Sequence, residues 1–211
     1  PHSKHLKTFN ELGGQVFNNL EDMVSKVEVL TLHSILSTET KGIINFKLYD
    51  FQKRVVQTVS DNRFTIVRCG RQMGKTTTAA GILLHEGLFK PSTTIAILAN
   101  KMDTAQEILE RIQMAYENLP LWLQQGIYSW NKRSMHLENQ SKYLAAPTSS
   151  SAIRGKSISI LYLDEFAHIE PKLQQKFFTA TYPVISSGKN TKIIITSTPN
   201  GMELYYKLWT D

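Results

Sequence analysis

The stretch Phe64-Thr65-Ile66-Val67-Arg68-Cys69-Gly70-Arg71-Gln72-Met73-Gly74-Lys75-Thr76 decides the fold of this chain. Its apolar, β-branched start reads as a strand. A short loop ending in Gly-Lys-Thr follows, and Thr77 to Leu88 reads as helix. Strand, tight loop and helix in that order form a phosphate-binding loop. Backbone N–H groups of such a loop, with the positive end of the helix, surround an anion. Gly74 lets the backbone approach the phosphates closely. Lys75 supplies a mobile charge for β- and γ-phosphates, and Thr76 a hydroxyl for Mg²⁺. The expected ligand is ATP or GTP. One position departs from the full G-x-x-x-x-G-K-[ST] pattern: Cys69 stands where the first glycine belongs, and Gly70 comes one place late. On this stretch alone, a chance Gly-Lys-Thr in a loop stays open.

The flanking sequence repeats the layout. Upstream, Asp50 to about Ser60 predicts an amphipathic helix with Asp50 as N-cap and Phe51, Val55, Val56 and Val59 on its apolar face. Downstream, Thr93–Ala99, Ile158–Leu163 and Lys192–Thr196 are nearly continuous apolar runs, as expected of strands buried on both faces. Helices are predicted over Met102–Leu119, ended by Pro120, and over Pro171 to about Ile185, bent or broken near Pro183. Ile127–Trp130, Ser134–Glu138 and Lys142–Ala145 suggest short antiparallel strands. Strands alternating with helices predict a parallel α/β sheet. Ligands of such sheets sit at the carboxyl ends of the strands. The loop at Cys69–Thr76, the pair Asp164-Glu165 and the run Thr196-Ser197-Thr198 all fall at such ends, so three polar clusters are expected to meet in one cleft. Residues 1–40 read as a helical lead-in, with Val16, Leu20, Met23, Val24, Val27 and Leu30 at three- and four-residue spacing. The main domain is expected over 41–211.

Each cluster suggests chemistry. An apolar strand ending in two acids is the Walker B pattern: Asp164 would hold Mg²⁺, and Glu165 would polarise the water that attacks the γ-phosphate. Otherwise the two are surface acids after a strand. Arg71, inside the loop, is placed to neutralise charge developing on the γ-phosphate, or else to pair with an acid. Arg154 precedes the apolar run Ile158–Leu163 and is a candidate to reach a neighbouring subunit's nucleotide, or to make a phosphate or surface contact. Gln52 has the donor and acceptor needed to read an adenine edge, with Tyr49 to stack on the base, although a helical glutamine usually faces solvent. Thr196, Ser197 and Thr198 could sense the γ-phosphate, or simply supply turn chemistry. His168 reads as structural or as a minor polar contact. Trp122, Trp130 and Trp209 read as core or rim.

Composition sets outer bounds. The chain has 211 residues, enough for one buried core, with 41% hydrophobic and 20% charged residues. No apolar run approaches the ~18 residues needed to span a bilayer. The single cysteine, Cys69, excludes an internal disulfide and a thiolate zinc site, and packing explains it better than nucleophilic chemistry. A net charge of +6 suits contact with a polyanion, but the basic residues are dispersed, and a solvated lysine-rich surface explains them as well.

Taken together, Tyr49-x-x-Gln52, the Cys69–Thr77 loop, Ile153-Arg154-Gly155, Leu161-Tyr162-Leu163-Asp164-Glu165-Phe166-Ala167 and Ile193-Ile194-Ile195-Thr196-Ser197-Thr198-Pro199-Asn200-Gly201 resemble the large terminase subunit of tailed bacteriophages, T-even-like type. The resemblance runs from about Leu48 to Trp209. It implies a RecA-like P-loop ATPase fold of the additional-strand, catalytic-glutamate type. It implies Tyr49, Gln52, Gly70, Arg71, Gln72, Met73, Gly74, Lys75, Thr76 and Thr77 as nucleotide-binding residues, and Thr76 and Asp164 as Mg²⁺ ligands. Glu165, Arg71, Lys75 and, in trans, Arg154 would be catalytic. Thr196, Ser197 and Thr198 would couple hydrolysis to movement. The implied activity is ATP-driven translocation of double-stranded DNA into a procapsid in the host cytoplasm. The implied partners are DNA, a portal protein and a small terminase subunit, around a homo-oligomeric ring on the portal or a monomer in solution. No membrane association is expected. The ATPase domain is expected to be truncated at its C-terminal end, with the family's nuclease domain absent. Two other readings compete: one RecA-like domain of a nucleic-acid helicase, and a regulatory module that holds ATP without hydrolysing it.

Overall fold

The structure, a computed structural model, describes residues 48–149, 153, 155–186, 191–201 and 204–210. The helical lead-in expected over 1–40, its boundary with the main domain and Arg154 lie outside the described residues.

Along the chain the elements are helix α1 (Asp50–Asp61), β1 (Phe64–Arg68), α2 (Lys75–Phe89), β2 (Thr94–Ala99), α3 (Met102–Glu117), β3 (Ile127–Asn131), β4 (Ser134–Leu137), β5 (Lys142–Pro147), β6 (Ile160–Asp164), a 3₁₀ turn (Phe166–His168), α4 (Pro171–Ser186), β7 (Lys192–Ser197) and α5 (Leu204–Thr210). The strands form one seven-stranded sheet in the order β1-β7-β6-β2-β5-β4-β3. The first five are parallel to one another. β4 runs antiparallel to β5, and β3 antiparallel to β4. Lys142–Pro147 therefore belongs to the parallel sheet through β2, and only its other edge carries the antiparallel hairpin expected from the turn residues.

Register fixes which strand ends meet. Arg68 pairs with Ser197 and Asp164 with Thr196, so β1, β7 and β6 end at the same edge. β7 sits between the strand that enters the phosphate loop and the strand that ends in Asp164. It is the additional strand of the expected fold type.

The central strands are buried on both faces, which explains their lack of alternation. On one face Leu98, Leu161, Leu163, Ile193 and Ile195 pack with Phe166 of the 3₁₀ turn, Ile169 just after it, Phe177 of α4 and Tyr205 of α5. The opposite face is covered by α2 and α3. Buried Leu83, Leu84 and Ile82 of α2 and Ile108, Leu109 and Ile112 of α3 supply that layer. Nearly every side of α2 is buried, because it lies between sheet and other helices.

Three local expectations need correcting. Tyr49, not Asp50, is the N-cap of α1. The third helix closes at Glu117, and Asn118 caps it by donating from Nδ2 to the Met114 carbonyl at 2.7 Å. The break allowed for near Pro183 does not occur, and a single helix, α4, runs from Pro171 to Ser186.

Gly87 permits close approach of α2 to β5. A Cβ there would collide with the ring and hydroxyl of Tyr143, which is fully buried and donates to the carbonyls of Leu83 and Leu84 at 3.2 and 3.3 Å. Gly87→Ala is expected to lose stability by about 1–3 kcal/mol through overpacking, despite the better helix propensity of alanine. Urea denaturation of the two proteins checks this.

Candidate functional site

The loop between β1 and α2 carries the geometry its sequence implies. Gly74 adopts φ 71° and ψ 19° at the N-cap of α2, a left-handed conformation suited to glycine. Gln72 is also left-handed, at φ 59°. The first turn of α2 is pinned by Thr78, whose backbone N–H and hydroxyl both donate to the Gly74 carbonyl at 2.9 Å. The loop's far end is tied to the sheet by Cys69 N–H donating to the Ser197 carbonyl at 3.4 Å. Burial pushes the half-buried Cys69 thiol up, against the opposing pull of Lys75. That fits a packing role for this residue.

At the centre lies an ion pair. Lys75 Nζ is 2.6 Å from Glu165 Oε1. The second oxygen, Oε2, accepts from the backbone N–H of Thr198 at 3.0 Å, its hydroxyl at 3.2 Å and the Ser197 hydroxyl at 3.3 Å. His168 Nε2 is 2.7 Å from the Thr198 hydroxyl and makes the polar contact expected of it. Burial pushes the Glu165 carboxyl up, but Lys75 and Thr198 outweigh it and hold the group below the usual glutamate value. Glu165 itself is left-handed, at φ 48° and ψ 42°. Such a backbone costs a non-glycine residue about 1–3 kcal/mol and persists where its surroundings over-determine it.

Its neighbour Asp164 stands at the end of β6 and is 3% exposed. Oδ1 accepts from the Tyr162 hydroxyl at 2.9 Å and the Thr196 hydroxyl at 2.8 Å. Burial pushes this carboxyl up, the two hydroxyls pull it down, and the net direction is up. Two adjacent acids are thus driven apart by their surroundings. Thr76 lies half-buried in the first turn of α2. Its hydroxyl and the Asp164 carboxylate are hard oxygen donors of the kind Mg²⁺ takes. Among the described residues no cluster of three or more His, Cys, Asp or Glu could hold a metal alone. A donor set of this size fits an ion that keeps waters and phosphate oxygens in its shell.

The alternative of a solvent-facing Gln52 does not hold. The residue is 3% exposed. Its Oε1 accepts the Tyr49 backbone N–H at 3.0 Å, and its Nε2 donates to the Met73 carbonyl at 3.2 Å. The first contact is half of a capping box; the second ties α1 to the phosphate loop. Tyr49 lies exposed beside it, its ring stacked on Phe51 with centroids 5.9 Å apart. Arg71 is exposed on the loop and makes no side-chain hydrogen bond or ion pair with a described residue. The acid partner weighed for it is therefore not among them. Gly70 has open space around it apart from Met73 Cγ at 3.7 Å, and Met73 and Gln72 are exposed on the same loop while Thr77 is half-buried. Trp122, Trp130 and Trp209 are at the rim; Trp130 packs edge-on against Tyr116, and Arg68 stacks over Trp209.

Tyr162 is a site residue that the sequence pattern did not single out. A signal for it exists: on a strand, residues two apart share a face, so a polar tip at Tyr162 points the same way as Asp164. The apolar run around it masks that signal.

The family model described as "Terminase large subunit, T4likevirus-type, N-terminal" matches residues 66–211. Among solved structures, the large terminase ATPase domain of Thermus phage P74-26 superposes with a TM-score of 0.61 and 20% identity, over 81% of this chain and 72% of that one. The HK97 bacteriophage large terminase gives 0.62 and 24%, over 78% of this chain and 36% of that one. The large terminase of a thermophilic bacteriophage, in complex with ADP, gives 0.58 and 12%, over 77% of this chain and 41% of that one. At these identities the likenesses speak for a shared fold.

Because Glu165 has a depressed value in the folded protein, its stabilising contribution is full above the ordinary glutamate value and is lost as pH falls through the depressed one. Wild type without nucleotide is therefore expected to melt above Glu165→Gln at neutral pH. The gap should close on acidification below that range. Melting temperatures of the two proteins across a pH series check the sign.

Proposed function

The chain belongs to the T4-like large terminase family, and on that premise we propose that it is the ATPase part of a DNA-packaging motor. One observation carries this reading: Lys75 and Glu165 meet at 2.6 Å where β1, β7 and β6 end together. The phosphate-binding cation and the acid positioned to act as base thus share one cleft. The sheet order, with β7 between the two site strands, supports an ATPase of this type, and the thermophilic-phage relative was captured with ADP.

In the proposed reaction the loop N–H groups and Lys75 bind the β- and γ-phosphates of ATP, and Lys75 exchanges its contact with Glu165 for the phosphate. Glu165, still held at Oε2 by Thr198, then orients water and takes its proton. The water oxygen forms a bond to the γ-phosphorus, and the bond to the bridging oxygen breaks, leaving ADP and phosphate. Arg71, without a partner among the described residues, is available to neutralise the equatorial oxygens. Thr76 and Asp164 would hold Mg²⁺, which would supply charge neutralisation when bound. Gln52 reads adenine with the N–H it has left after Met73, or after releasing that carbonyl. Arg154 serves a neighbouring subunit.

Coupling is assigned to the end of β7. Thr196 touches Asp164, and Ser197 and Thr198 touch Glu165. A change at either acid therefore reaches Pro199-Asn200-Gly201. The work delivered is translocation of double-stranded DNA into a procapsid, with portal protein and small terminase subunit as partners in a ring, in the host cytoplasm. The helicase alternative loses to the family match. The regulatory alternative loses to the positioned Glu165.

Steady-state ATP hydrolysis with Mg²⁺ tests the assignment. Glu165→Gln is expected to lower kcat by at least about 10²-fold, the scale of general-base catalysis, with ATP binding retained. Arg71→Ala is expected to lower turnover by about 10³-fold or more, as arginine fingers do, and binding far less. Equal rates for wild type and Glu165→Gln would remove the base. A parallel loss of binding in Arg71→Ala, with turnover of bound ATP intact, would remove the finger. Gln52→Ala should weaken ATP more than GTP in competition binding; equal losses would remove the adenine role.

A further inference from the structure

Three oxygens form a closed, buried triangle beneath the site. Tyr162 Oη lies 2.9 Å from Asp164 Oδ1 and 2.9 Å from Thr196 Oγ1, and Thr196 Oγ1 lies 2.8 Å from the same Oδ1. All three residues are buried, and Tyr162 is fully so. With Asp164 ionised, two protons serve three contacts. Both hydroxyls can donate to Oδ1, or one can donate to the other while the second donates to Oδ1; the Leu163 carbonyl, 3.5 Å from Thr196 Oγ1, is a longer and weaker alternative acceptor. The short contacts, at 2.8 and 2.9 Å, converge on Oδ1 and make this oxygen the anchor. Asp164 Oδ2 takes no hydrogen bond from a described residue.

We propose that Tyr162 is a positioning residue which, with Thr196, ties down Asp164 Oδ1 so that Oδ2 is the oxygen presented to the nucleotide-bound cation. The inference rests on Asp164 being the cation-holding aspartate of the proposed function. Tyr162 acts from β6 itself, two residues before the acid, and Thr196 acts from β7 across the register pair Asp164↔Thr196. A carboxylate held at one oxygen by donors from two strands has its rotation about the side-chain bonds fixed before any cation arrives. A buried tyrosine hydroxyl normally finds a partner, and packing alone needs only the ring. Phenylalanine would fill the same space, so the hydroxyl's role can be separated from the ring's.

Equilibrium binding of a fluorescent ATP analogue, with Mg²⁺ and with EDTA, tests this on the full chain. The readout is the gain in affinity that Mg²⁺ provides. Tyr162→Phe is expected to leave the EDTA affinity unchanged and to cut the gain roughly tenfold, the scale of one hydrogen bond to a charged oxygen. Thr196→Val should do the same and Thr196→Ser should restore the gain; this pair carries the test if Tyr162→Phe does not fold. An unchanged gain in Tyr162→Phe, or an equal loss with and without Mg²⁺, overturns the proposal. Asp164→Asn is the control for the premise: it should abolish the gain. If it does not, the cation role of Asp164 falls first. Loss in Asp164→Asn with no loss in Tyr162→Phe sinks the positioning role alone.

Discussion

The parallel register of β1, β7 and β6 is the constraint on which the site depends. Three strands hydrogen-bonded in parallel must end on the same edge, and each ends in a different kind of chemistry: a glycine-containing loop, two acids, and a run of hydroxyls. None of these groups needs to be near the others in sequence. The sheet brings Lys75 to Glu165 and Thr196 to Asp164. β6 and β7, buried along nearly their whole length, hold that register in the core.

Held this way, neighbouring acids acquire opposite characters. Asp164 points into the sheet, among hydroxyls, and its charge is disfavoured by burial. Glu165 turns out through a left-handed backbone and is surrounded by Lys75, Thr198 and Ser197. The strained conformation and the donors that hold it belong to one device. The backbone turn separates the two carboxylates, and the donors fix where the second one lands. β7 touches both acids at successive residues, Thr196 and Ser197, so a change at either reaches it.

Much of this was legible in the residues. The phosphate loop, the long apolar strands and the acids at a strand end have local signatures: composition, spacing and punctuation by glycine and proline. The boundaries of β1 and of the start of α3 follow from them directly. The rest depends on tertiary placement. A glutamine on an amphipathic helix gives no sign that it is buried; Gln52 is so because α1 lies against the phosphate loop and offers it the Met73 carbonyl. The pairing of Lys142–Pro147 with β2 could not be read from turns that signal only its antiparallel neighbour. Pro183 inside a helix runs against the ordinary reading of proline as a breaker. Tyr162 was readable by strand alternation, and was hidden by the apolar character of its neighbours.

The proposed function makes the phosphate loop and Lys75 the anion-binding centre, so the decisive experiment is the equilibrium affinity of Mg²⁺-ATP for wild type and for Lys75→Ala, by titration calorimetry. Wild type should bind clearly, with competition by ADP, and binding should be lost or weakened by at least about tenfold in Lys75→Ala. Equal affinity in the two proteins, or no binding to a folded wild type, would contradict the assignment of this loop as the nucleotide site.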